Sequence, residues 1–129
     1  MKIKMSAAAV ALVLSVPFAA HAAGDAAKGE KVWAKCKICH QVGPEAKNLV
    51  GPIQNNLIGR KAGTVEGFKG YSEANKEAGE HGLIWTEETL DKYLTDPKVF
   101  MPKNKMAFVG LPKAEDRADV IAYLKTFSK

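Results

Sequence analysis

Thiolates and imidazoles are scarce in this chain of 129 residues, which holds two cysteines and three histidines. A structural zinc site closes on four such ligands, and with His21 in a leader-like segment and His81 in a polar loop, too few remain to build one. A dithiol redox site of the thioredoxin kind sits at the end of a strand in an alternating βα chain, and no convincing strand pattern occurs here. Internal repeats are missing, which counts against a solenoid. A strong excess of one charge is missing too: the formal net charge is +5, of which Lys2 and Lys4 of the leader-like segment supply two, and the remaining +3 is too mild for a nucleic-acid binder. Long hydrophobic runs are also lacking. Ala7 to Val16 is short for a membrane span and is broken off by Pro17.

That apolar run suits a different role. Lys2 and Lys4 precede it as a basic region, and Ala20-His21-Ala22 follows as a small-x-small cleavage site. Residues 1–22 therefore read as a cleaved secretory signal peptide, with a retained anchor as the alternative. The remaining 23–129 is sized for one domain, exported from a bacterial cytoplasm. Loss of Lys2 and Lys4 lowers the net charge to +3. What basic excess remains is unevenly placed, with Lys35 and Lys37 together, Lys98, Lys103 and Lys105 together, and Glu73, Glu77 and Glu80 between them. Such patterning suggests a dipolar protein with one basic face, against the alternative of a merely solvated surface.

Both cysteines fall in one pentapeptide, Cys36-Lys37-Ile38-Cys39-His40. The C-x-x-C-H pattern is that of covalent haem attachment. On a helical turn, positions i, i+3 and i+4 leave from one face, as a planar macrocycle requires. Two thiols would add across the porphyrin vinyl groups while the imidazole coordinates iron.

Around this motif the chain reads as helices separated by long loops. Asp25 is placed to cap a helix in which Gly29, Val32, Trp33 and Cys36 recur at i, i+3, i+4 and i+7, ending at the C-x-x-C-H motif. Gln41 to Thr64 is loop, rich in Gly, Pro, Asn and Lys. A short helix is expected from near Ser72 to near Gly79. Thr86 caps a clearer one, with Glu87 and Glu88 at its positive end and Leu90, Tyr93 and Leu94 along one face, until Pro97 ends it. Three prolines make Pro97 to Pro112 an expected extended loop. A last helix starts at about Lys113, with Val120, Ile121, Leu124 and Phe127 at helical spacing. The chain is all-α, and loops this long in a domain this small suit the wrapping of a cofactor.

The partner of His40 across the iron separates electron carriers from ligand-binding haem proteins. Outside the leader only Met101 and Met106 are available. Met101 precedes a proline and suits core packing, whereas Met106 lies in a polar, basic loop where burial alone explains it poorly.

Taken with Gly24-Asp25-Ala26-Ala27-Lys28-Gly29-Glu30, Val50-Gly51-Pro52, Gly59-Arg60-Lys61-Ala62-Gly63, Tyr71-Ser72-Glu73-Ala74-Asn75-Lys76, Trp85-Thr86-Glu87-Glu88, Lys105-Met106-Ala107-Phe108 and Ile121-Ala122-Tyr123-Leu124-Lys125, the chain resembles class I c-type cytochromes. The resemblance is to the short, mitochondrial-like bacterial cytochrome c-two type and covers Gly24 to Lys129. It implies a small cytochrome c fold of four or five helices around one covalent haem c, with the terminal helices crossing where Gly29 and Trp33 meet Val120 and Tyr123. It implies Cys36 and Cys39 as thioether anchors and His40 and Met106 as axial ligands. Pro52 matches the proline whose carbonyl accepts the proximal imidazole N–H. Arg60, Tyr71 and Trp85 match donors to a buried haem propionate, and Asn75 and Tyr93 match polar residues near the methionine. Trp85 and Tyr93 also suit plain helix packing, and Arg60 a surface cation. Some positions depart from the family pattern: Asn104 stands in place of threonine, Gln54 of leucine and Asn56 of glycine, and Gly70 and the Glu77 to Gly82 region lengthen the connection before Trp85.

The function this implies is a periplasmic, monomeric electron shuttle rather than an enzyme. Electrons would arrive from a cytochrome bc complex and leave for a terminal oxidase or a photosynthetic reaction centre, through transient docking at membrane proteins and without nucleic acid. A haem peroxidase or gas-binding haem protein, with an open sixth position, is the alternative.

Overall fold

In the computed structural model, which describes residues 23–129, side-chain caps mark where the helices begin. The signal peptide assigned to 1–22, with its cleavage site after Ala22 and with His21, lies outside the described residues. Asp25 accepts the amides of Ala27 and Lys28 at 2.9 and 3.2 Å and starts α1, Ala26–Trp33. Ser72 accepts the amide of Asn75 at 3.0 Å and starts α2, Glu73–Glu80. The Thr86 hydroxyl accepts the Thr89 amide and the Thr89 hydroxyl accepts the Thr86 amide, a capping box at the head of α3, Glu87–Thr95. Each cap satisfies amides that the first helical turn leaves unpaired.

Two boundaries differ from the expectation drawn from sequence. The first helix stops at Trp33 instead of running into the C-x-x-C-H motif, because the Ala34 amide tightens onto the Lys31 carbonyl and the chain continues as turns. The segment after Pro97 is not wholly extended: α4 spans Pro97–Phe100, with Asp96 accepting the amides of Lys98 and Val99 at 3.2 Å each. Proline at the first helical position costs no hydrogen bond there and its fixed φ favours the turn. What ends α3 therefore begins α4. The last helix, α5, is Ala114–Lys125. Among the described residues no strand forms beyond one isolated bridge between Lys61 and Ile84.

The terminal helices cross at Gly29. A Cβ there would run into the Asp119 carbonyl and Tyr123, and one at Gly24 would meet Ala118. The Asp25 amide donates to the buried Asp119 carboxylate at 2.8 Å, fixing the register of the crossing. Trp33 packs on Tyr123 with ring centroids 6.1 Å apart, and Val120, Ile121 and Leu124 complete a buried cluster with Leu57, Trp85, Leu90 and Leu111. Arg117 clamps α5 to α3 through Asp91 at 2.7 Å while its Nη1 donates to the Leu111 carbonyl at 2.8 Å.

The long loop between α1 and α2 is tied to the C-terminus. The Asn56 amide donates to the Phe127 carbonyl at 2.9 Å, and the Lys129 amide to Asn56 Oδ1 at 3.1 Å. Asn56 has φ 58°, a left-handed conformation that asparagine tolerates better than most residues. That explains how it stands where the resembled family has glycine.

The loop after α4 is fastened by Asn104, which is buried. Its amide nitrogen donates to the carbonyls of Pro97 and Met101, each at 2.9 Å, and its oxygen accepts the Met106 amide at 2.8 Å. Met101 is 4% exposed and belongs to the core, as expected of it.

Two stability predictions follow from these contacts. Gly29→Ala should force the terminal helices apart at a cost of about 2 kcal/mol, the ordinary range for overpacking, read as a lower midpoint in chemical denaturation. Asn104→Ala leaves two carbonyls and an amide without partners and should cost about 3 kcal/mol by the same measurement.

Candidate functional site

Folding brings the C-x-x-C-H turn, the Gly51 to Arg60 loop, the start of α2, α3 and the Asn104 to Phe108 segment around one cavity of about 360 Å³. All ten residues singled out from sequence line it: Cys36, Cys39, His40, Pro52, Arg60, Tyr71, Asn75, Trp85, Tyr93 and Met106. Between them lie Leu57, Phe68, Leu90, Leu94 and Phe108, which make much of the lining apolar.

The motif enters the cavity as a turn. The amides of Cys39 and His40 both donate to the Cys36 carbonyl, at 3.1 and 3.0 Å, and the second of these is the i to i+4 closure that stacks the three side chains on one side. Both cysteines are half-buried, and no disulfide joins them. Burial pushes the Cys36 thiol up to about 11, against the pull of nearby Lys35. The His40 Nδ1 lies 2.7 Å from the Pro52 carbonyl. Burial holds the imidazole below its ordinary pKa, with the Pro52 contact opposing and Arg60 adding to the shift. Burial thus favours the neutral ring, the form in which histidine binds a metal. Close packing permits this only beside a glycine, since a Cβ at Gly51 would overlap the His40 ring.

Met106 reaches the cavity from the loop that Asn104 fastens, and the Tyr93 hydroxyl is directed to its sulfur at 3.9 Å. Burial raises the Tyr93 phenol to about 12, so it remains a donor. Asn75 is also at this wall, and its Oδ1 is buried without a partner among the described residues. An acceptor left so is costly, and it calls for a donor, or for a turn of the amide that presents its NH2 to an acceptor in the cavity.

Arg60 is bound to the protein more closely than sequence suggests. Its Nη2 donates to the carbonyls of Asn55 at 2.6 Å and Ile53 at 3.0 Å. Burial lowers the Arg60 pKa and raises that of Tyr71, whose hydroxyl accepts the Val65 amide at 3.1 Å. Both side chains are thereby braced. Asn104, where the resembled family offers a threonine to a propionate, directs both amide hydrogens to backbone carbonyls. Its role here is to hold the Met106 loop.

Sequence reasoning missed one polar contact. Gln54 Nε2 lies 2.9 Å from His40 Nδ1, and Gln54 Oε1 is 3.5 Å from Arg60 Nη1. The available signal was the substitution of an amide for leucine two residues after the Gly51-Pro52 pair, but no local pattern told where that amide would point.

The residues present fit a haem. Two thiols and an imidazole share one turn, and a thioether reaches the same apolar cavity. Comparison with known proteins agrees. The family profile described as Cytochrome c matches residues 26–128. Cytochrome c2 of Rhodomicrobium vannielii is 56% identical over 124 residues, covering 96% of this chain and 94% of that one. Cytochrome c2 of Blastochloris viridis is 48% identical over 116 residues, covering 90% and 88%. The solved structure of cytochrome c2 from Rhodospirillum centenum superposes with a TM-score of 0.78 at 49% identity, covering 82% of this chain and all of that one. With the profile spanning nearly all the described residues and relatives this similar over most of their own length, the chain belongs to the cytochrome c family and carries one covalently bound haem c.

Proposed function

We propose that this electron-carrying haem protein is a periplasmic shuttle, taking single electrons from a cytochrome bc complex and delivering them to a terminal oxidase or a photosynthetic reaction centre. Cys36 and Cys39 would anchor the haem, and His40 and Met106 would ligate its iron. The observation that carries the reading is that His40 and Met106, distant in sequence, line one apolar cavity. The iron supplies one-electron redox chemistry when bound.

The protein's own contribution is to hold ligands still and to dock. Pro52 orients the imidazole by accepting from Nδ1, Tyr93 and Asn104 fix the thioether and its loop, and the apolar lining excludes water. With His40 and Met106 both ligating, no position on the iron would be open to a substrate, which suits a carrier. Methionine ligation in an apolar pocket favours the reduced state.

Docking falls to the surface beside the cavity mouth. Lys35 and Lys105 line the cavity, and with Lys37, Lys98 and Lys103 they are exposed and take no part in ion pairs among the described residues. Ile38 and Val50, each 79% exposed, line the same cavity. An apolar patch within free lysines suits brief, electrostatically steered encounters with acidic partner surfaces.

Met106→Ala should give a high-spin or exogenous-ligand-binding haem, whereas Met101→Ala should keep a low-spin spectrum and lose about 2–4 kcal/mol of stability as a core truncation. A far-red methionine-to-iron band in the oxidised protein, absent only in the first variant, is the measurement; a native spectrum for Met106→Ala would reject that ligand. Electron transfer to an acidic partner should slow as ionic strength rises, because exposed charges are screened within about 8–10 Å near physiological salt. A rate flat with salt would remove the basic face from the reading.

A further inference from the structure

The His40 Nδ1 nitrogen has two polar neighbours within hydrogen-bond distance, the Pro52 carbonyl at 2.7 Å and the Gln54 amide nitrogen at 2.9 Å. A neutral imidazole carries one proton. If Nε2 takes the iron, that proton is on Nδ1, and Nδ1 is a donor only. It then satisfies Pro52, but it faces a second donor in the Gln54 amino group. The conflict is removed by half a turn about the last side-chain torsion of Gln54, which puts Oε1 where Nε2 was. The turn gives up a contact of 3.5 Å between Oε1 and Arg60 Nη1, at the weak end for a hydrogen bond, while Arg60 keeps its bonds to Ile53 and Asn55.

We infer that Gln54 is a positioning residue for the iron's proximal ligand, its amide oxygen sharing the His40 Nδ1 proton with the Pro52 carbonyl and so setting how strongly the imidazole donates to the metal. A second acceptor draws the proton away from the ring and makes Nε2 a stronger base, the effect expected of outer partners on a ligating histidine. A more strongly donating ligand favours the ferric state. Gln54 thus opposes the shift toward the ferrous state that the methionine and the apolar lining produce. The inference rests on ligation by His40, as proposed above.

The test uses the holoprotein, with Gln54→Leu and Gln54→Asn. Leucine removes the acceptor, and asparagine keeps the polarity but is one methylene too short to reach Nδ1. Both should raise the reduction potential, by about a threefold change in the ferric-to-ferrous ratio, or about 28 mV at 59 mV per decade. Both should also move the His40 Nδ1–H resonance of the ferrous protein upfield, since its hydrogen bond weakens. A falling potential, an unmoved Nδ1–H resonance, or a shift with leucine alone would overturn the inference, the last because general polarity would then explain it. Ligation is read separately. If His40 were not a ligand, the wild-type haem would lack the low-spin spectrum, whereas failure of the Gln54 role leaves that spectrum intact in all three proteins.

Discussion

The backbone of α1 lies against α5 at Gly29, and the rest of the architecture hangs from that crossing. No side chain intervenes there, so Trp33 comes down onto Tyr123 at one end and the Asp25 amide reaches Asp119 at the other. The crossing sets the direction in which the chain leaves α1. Three residues later the cysteine turn begins, and its orientation is inherited from Trp33, whose carbonyl accepts the amides of Cys36 and Lys37. A helix pair at the termini thus aims a motif that lies in neither helix.

The middle of the chain meets a different constraint. A cavity at the centre of so small a domain removes the packing that would otherwise hold the surrounding loops, and directed hydrogen bonds take its place. Arg60 gathers the carbonyls of Ile53 and Asn55, Asn104 gathers three backbone groups, and Asn56 ties the loop to the C-terminus. Buried bonds of this kind are most effective where every group is satisfied. Asn75 Oδ1 is the buried side-chain atom left over among the described residues, and it lies at the cavity that the cofactor of this family fills.

Charge is arranged by the same economy of parts. The ion pairs among the described residues use glutamates and aspartates of α2, α3 and α5 with neighbouring cations, which leaves the lysines around the cysteine turn and the Met106 loop unneutralised. Exposed pairs of this sort add little to stability. Their consequence is rather that Lys35 and Lys105, at the cavity, keep their charge for a partner.

The sequence by itself determined what depends on neighbours within a turn or two: the cysteine and histidine spacing of 36, 39 and 40, the caps at Asp25, Ser72 and Thr86, the helical spacing of Val120, Ile121 and Leu124, and the narrowing of sulfur candidates to Met101 and Met106. The family pattern then marked ten residues that folding gathers at one cavity. The Asp96 cap with Pro97 behind it is equally local, a signal that sequence reasoning missed. Only the tertiary structure decided that Asn104 spends its donors on the backbone of its own loop, and that Gln54 meets His40 across fourteen residues. Those outcomes turn on which donor finds which acceptor once the chain has closed. An amide or a guanidinium has the same local signature whether it faces water, a carbonyl or an imidazole, so its partner is settled by the fold that surrounds it.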